Sequence, residues 1–128
     1  YQVDLPRLMI TPGEIKYRLG YEKPFDQHRE LANRAIDGAS RFLTIGYGFN
    51  DAHLQTHLNP RIKNGTPCLI LTRTLTDSAR ALVASSTAVI ALESDGGDGT
   101  RAHVGGSVQQ FPDLELWQLA TFIDEVLT

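Results

Sequence analysis

Apolar and polar positions along this chain fall into two alternating patterns. Apolar runs at residues 7–11, 42–47, 67–73 and 87–92 read as strands, the first closed by the turn pair Pro12 and Gly13. The last three lack period-two polarity, as strands buried on both faces do. Between them the spacing turns helical. Leu31, Ala32, Ala35, Ile36 and Ala39 mark a helix over 24–39, with Gly38 near its end. A short helix over 51–58 is expected to stop or restart at Pro60, and another over 76–84 to be capped by Thr76 or Asp77.

The remaining stretches are less regular. Residues 14–23 are polar without a period, and Asn64 and Gly65 mark a turn. The glycine-rich segment 94–106 reads as a loop or a hairpin around His103 and Val104. A closing amphipathic helix is expected over 113–127, with Pro112 in its first turn and an apolar stripe of Leu116, Leu119, Ala120, Ile123, Val126 and Leu127. Alternating helices and buried-type strands predict an α/β fold: a Rossmann-like, doubly wound, mostly parallel sheet covered on both sides, with residues 1–128 as a single unit.

Composition narrows the classes. The 128 residues are 41% hydrophobic and 21% charged, enough for one core, and no apolar run could cross a bilayer. A net charge of −3 gives no footprint for direct nucleic-acid binding. Nine of the twelve basic residues are arginine, which leaves room for a local patch. The lone Cys68 excludes an internal disulfide and suits a reducing compartment, so a cytoplasmic location is expected. The chain opens at Tyr1 and its one methionine is Met9, which reads as part of a longer protein.

The candidate chemistry centres on Gly46, Tyr47 and Gly48, where an apolar strand meets a helix start. In a dinucleotide fold such glycines permit the turn and let backbone approach the ligand. A third glycine would stand at position 51, where this chain has Asp51. A carboxylate there caps the helix and puts negative charge where a pyrophosphate would sit, so the turn suits a ribose or adenosine edge better than a diphosphate. A capped βα turn without a ligand is the competing reading, and pattern alone favours it. Thr72 and Arg73 end the next strand, where a group can meet a nucleotide's ribose; an arginine there would also suit a phosphorylated ribose, and a plain polar strand end is the alternative.

Other constellations carry less. His53 and His57 have a metal-ligand spacing, but Leu54 stands where a catalytic zinc motif needs glutamate, and no metal is expected. Cys68 in an apolar strand reads as an unreactive core thiol, Trp117 as core or interface, and the DGGD run at 95–98 as a solvated turn rather than a calcium loop.

Three segments together resemble the C-terminal half of a sirtuin-like NAD-binding domain, of the divergent bacterial kind found in antiphage defence proteins. LMITPGEIKY at 8–17 resembles the family's strand-then-proline segment, FLTIGYGFNDAHL at 42–54 its strand, Gly-Tyr-Gly/Ser-Phe, Asp, His motif, and LWQLATFIDEVL at 116–127 its closing Leu-Trp helix. The middle motif is the specific one.

The resemblance implies that the parent binds NAD and hydrolyses it to nicotinamide and ADP-ribose. It implies that Gly46, Tyr47, Gly48 and Asp51 line the nucleotide pocket, with Thr72 or Arg73 near the adenosine ribose. It further implies a homo-oligomer or a larger defence complex. The family's catalytic Asn and His, the latter in a His-Gly pair, would lie upstream of Tyr1, since none of the four histidines here precedes a glycine. The alternative is a catalytically inactive sirtuin-like nucleotide sensor or assembly module. A dehydrogenase domain fits less well with the incomplete glycine fingerprint, and a zinc-dependent deacylase cannot be built with one cysteine.

Overall fold

The apolar runs form strands and the 3.6-spaced segments form the helices between them. The computed structural model describes residues 9–10 and 23–127. Its strands are β1 (Met9–Ile10), β2 (Phe42–Ile45), β3 (Cys68–Thr72), β4 (Val89–Ser94), β5 (Thr100–Val104) and β6 (Ser107–Phe111). The crossover helices are α1 (Lys23–Gly38), α2 (Ala52–Lys63) and α3 (Asp77–Ser85). The Pro12–Gly13 turn and the irregular stretch at 14–22 lie outside the described residues.

One six-stranded sheet results, in the order β1-β2-β3-β4-β5-β6. β1 to β4 are parallel, and β5 and β6 add an antiparallel hairpin. This is the expected α/β, Rossmann-like, mostly parallel sheet with both faces covered, but it is not doubly wound: strand order never reverses among the described residues. Right-handed crossovers that step in one direction put their helices on a common face. Accordingly Ile36 of α1, Leu58 and Ile62 of α2, and Ala79, Leu82 and Val83 of α3 share one core with Cys68, Ile70, Val89 and Ala91 of the strands. The opposite face, with Leu43, Leu69, Leu71 and Leu92, is covered by the C-terminal segment through Leu114, Leu116, Trp117, Leu119 and Phe122.

Two helices depart from expectation. α2 runs through Pro60 to Lys63 rather than stopping there. Its continuation is held by Arg61, whose guanidinium donates to the carbonyls of Ile36, Asp37 and Ala39, each at 2.6 Å. These are the orphan carbonyls at the end of α1, so a side chain of α2 finishes the helix beside it. The same guanidinium lies over the Phe42 ring at 5.7 Å. Leu31 of the predicted α1 stripe is 58% exposed.

The closing helix is far shorter than 113–127. Only α4 (Leu119–Phe122) is α-helical, followed by a π-helical turn at Ile123–Leu127. Pro112 and Asp113 instead make a turn, with Asp113 in the left-handed region at φ 64°. Thr100 explains the difference. Its hydroxyl donates to Leu114 O at 2.7 Å and accepts from Leu116 N at 2.8 Å, so the backbone that a helix would use is tied to β5 instead. The hairpin turns at Gly105 and Gly106, two residues past the predicted centre, with Gly105 at φ 63°.

Candidate functional site

The 46–51 turn leaves β2 at the carboxyl edge of the parallel strands. Gly46 takes φ 65°, which glycine adopts freely, and its N–H donates to Leu71 O of β3 at 2.8 Å. Phe49 adopts φ 61° with its ring fully buried and stacked at a tilt on Tyr47, centroids 4.7 Å apart. A bulky residue in that conformation stores about 1 kcal/mol of strain, which the buried ring offsets.

Neighbours take up several of the turn's polar groups. Asp51 accepts from the amides of His53 at 2.9 Å and Leu54 at 3.3 Å, the cap expected of it. The Thr76 hydroxyl donates to Gly48 O and accepts from Ala79 N, joining the turn to the cap of α3. A Cβ on Gly48 would lie 3.1 Å from Thr76 Cγ2, so the close approach this glycine allows is to Thr76. Asn50 Oδ1 accepts from Ser78 Oγ at 2.7 Å. Burial, and after it the Asp51 charge, pushes the Tyr47 phenol up to about 12.

Thr72 and Arg73 end the adjacent strand. Thr72 Oγ1 donates to Thr74 O at 3.3 Å. Arg73 accepts Ser94 N on its backbone carbonyl at 3.1 Å, and its exposed side chain lines a cleft of about 380 Å³ with Arg80, Glu93, Arg101, Glu115 and Trp117. The structure therefore gathers Gly46, Tyr47, Gly48 and Asp51 in one turn and gives Arg73 a different set of neighbours.

Those neighbours surround Glu93, which sequence reading did not single out. It sits buried on β4, on the helix-covered face. Its Oε1 accepts from Leu75 N at 3.1 Å and from Arg80 Nη2 at 3.3 Å. Its Oε2 lies 2.7 Å from His103 Nε2 and 3.8 Å from Arg101 Nε. Antiparallel register places Arg101 directly opposite Glu93, with His103 two residues on along the same face. Burial alone would raise the Glu93 carboxyl, but the Leu75 amide, His103 and Arg80 outweigh it and hold the group below the usual carboxylate value. The signal in the sequence was a glutamate continuing an apolar strand, facing Arg101 and His103 at alternate positions. It becomes legible only once the hairpin register is known.

A second cleft, of about 470 Å³, opens on the other side of Arg80 and His103, beside the Gly105–Gly106 turn. Among the metal-type candidates, His57 Nδ1 pairs with Asp37 Oδ1 at 3.2 Å, and His53 is exposed. Asp95 folds its own loop, accepting from Gly97 N and Gly99 N. Burial pushes the Cys68 thiol up to about 12, in keeping with an inert core cysteine. No group of three or more His, Cys, Asp or Glu side chains that could hold a metal occurs among the described residues, and no described helix is long and apolar enough to cross a membrane. Compared with known proteins, the chain matches no family model, no curated protein and no solved structure.

Proposed function

We propose that this chain is the NAD-binding part of a sirtuin-like NAD glycohydrolase that releases nicotinamide and ADP-ribose, acting in the cytoplasm in bacterial antiphage defence. The observation that supports the reading best is the GYGFNDAH turn at the carboxyl edge of a parallel sheet, next to the strand end carrying Thr72 and Arg73. Open α/β sheets take their ligands at that edge. With Asp51 capping α2, the turn suits an adenosine or ribose edge, and the phosphates would need donors from elsewhere.

Breaking the nicotinamide–ribose bond develops oxocarbenium character, so a placed polar group must orient water or the ribose hydroxyls. In this reading that group lies upstream of Tyr1, and the chain by itself binds without turnover. The test is mass-spectrometric nicotinamide release by the longer parent protein beside this chain. Release by the parent alone is expected; a parent that neither binds NAD nor releases nicotinamide overturns the reading.

A second reading, a catalytically inactive nucleotide sensor or assembly module, draws on a specific observation. The Gly48 carbonyl, Asn50 and Asp51 are engaged by Thr76, Ser78 and the α2 amides, while Ile123, Val126 and Leu127 of the closing turn are exposed. Saturable ADP-ribose binding by the parent without turnover would favour the sensor, and concentration-dependent self-association without binding the assembly module.

A further inference from the structure

We propose that the cleft at the carboxyl ends of β3 and β4 binds a phosphate oxyanion, held by Arg73 and Arg101. The inference does not depend on NAD turnover. It rests on a census of donors and acceptors. Arg73, Arg80 and Arg101 face the cleft against two carboxylates, Glu93 and Glu115, leaving an excess of positive charge before His103 is considered. Glu93 has little accepting capacity left, since Leu75 N, Arg80 and His103 already donate to it. Glu115 Oε1 accepts from Gln118 Nε2 at 3.1 Å.

The unspent groups are donors. The Arg73 guanidinium holds no carboxylate among the described residues. Arg101 donates from Nη2 to Ser94 O at 3.4 Å, and its buried Nε makes no hydrogen bond, because its 3.8 Å separation from Glu93 is too long for one. The Trp117 indole N–H also lacks an acceptor. Positive charge in excess of carboxylate, with an exposed guanidinium that holds none, calls for an acceptor-rich anion, and guanidinium forks match phosphate oxygens. About 380 Å³ admits a phosphate with a sugar attached.

Trp117 is the chain's one tryptophan, so its emission reports on the cleft directly. The experiment titrates the chain with inorganic phosphate, ribose 5-phosphate and adenosine 5′-monophosphate, with adenosine and with sodium chloride at matched ionic strength as controls. A saturable emission change with the phosphate probes and none with adenosine or chloride is expected. A response confined to the esters assigns the site to phosphorylated sugars, and a response to inorganic phosphate assigns it to the ion itself. Arg73→Gln should weaken binding roughly tenfold or more, the loss of a charge-assisted hydrogen bond, with Arg73→Lys between. Phosphorus NMR line broadening on Trp117→Phe reads the same site without the indole. The proposal is overturned if chloride reproduces the curve, if no phosphate probe saturates, or if Arg73→Gln binds as the parent sequence does.

Discussion

In the turn after β2, Asp51, Asn50 and the Gly48 carbonyl are each engaged by a neighbour. In the cleft after β3 and β4, a single buried carboxylate accepts from Arg80 and His103 and leaves Arg101 at 3.8 Å, beyond hydrogen-bond reach. Both regions lie on one edge of one sheet. The contrast teaches that a recognisable motif can spend much of its polar capacity on the fold that presents it, while residues far apart in sequence leave charge uncommitted.

The largest expected effect comes from the cleft. Glu93→Ala should lower the unfolding free energy by about 3 kcal/mol, because a buried acceptor is removed from beneath several cations and an amide. Urea denaturation measures it, and a loss below about 1 kcal/mol would mean that water replaces the carboxylate and that the two regions differ less than described. Thr76→Ala should cost about 1–2 kcal/mol, since one hydroxyl caps α3 and fastens the Gly48 carbonyl. Asp51→Ala should cost about 1 kcal/mol in stability and leave ADP-ribose affinity unchanged. A collapse of affinity with stability intact would break the comparison, because the carboxylate would then serve the ligand and not the helix.

Acid sharpens the contrast further. The Glu93 carboxyl has a folded-state value below its ordinary 4.5. Its contribution to stability is therefore complete above that ordinary value and is lost as pH falls through the lowered one. Thermal midpoints from pH 7 to pH 3 should fall, and Glu93→Gln should flatten the fall. The smallest effect is expected at Arg73, where the exposed side chain makes Arg73→Gln neutral to within about 0.5 kcal/mol while phosphate binding weakens.

Much of the architecture was readable because it rests on local pattern. β2, β3 and β4 begin within two residues of the predicted apolar runs, since strands buried on both faces leave a continuous signature. α3 and its Thr76 cap follow from a threonine placed before a helical period. The closing helix was misread because its apolar spacing is genuine, but Thr100, over ten residues upstream, captures the backbone of Leu114 and Leu116. Pro60 was misread because Arg61, the next residue, ties this turn of α2 to the carbonyls at the end of α1. The 46–51 turn was legible as a turn, together with Asp51 as its cap. The Glu93 cluster was not, because Arg80, Glu93, Arg101 and His103 share no spacing until β4 and β5 are set in register.

Strand order and chain order coincide from one edge of the sheet to the other. Each new strand pairs with the one completed just before it, and no pairing waits for a segment made much later. During synthesis the sheet can be laid down row by row, each βα unit supplying the template for the next. The antiparallel hairpin and the segment after it follow the parallel strands, so the second face is sealed only once residues 114–122 emerge. A chain that has emerged only as far as residue 95 would carry its helical face closed and its other face bare. It is at that stage of manufacture that the molecule is most exposed to aggregation.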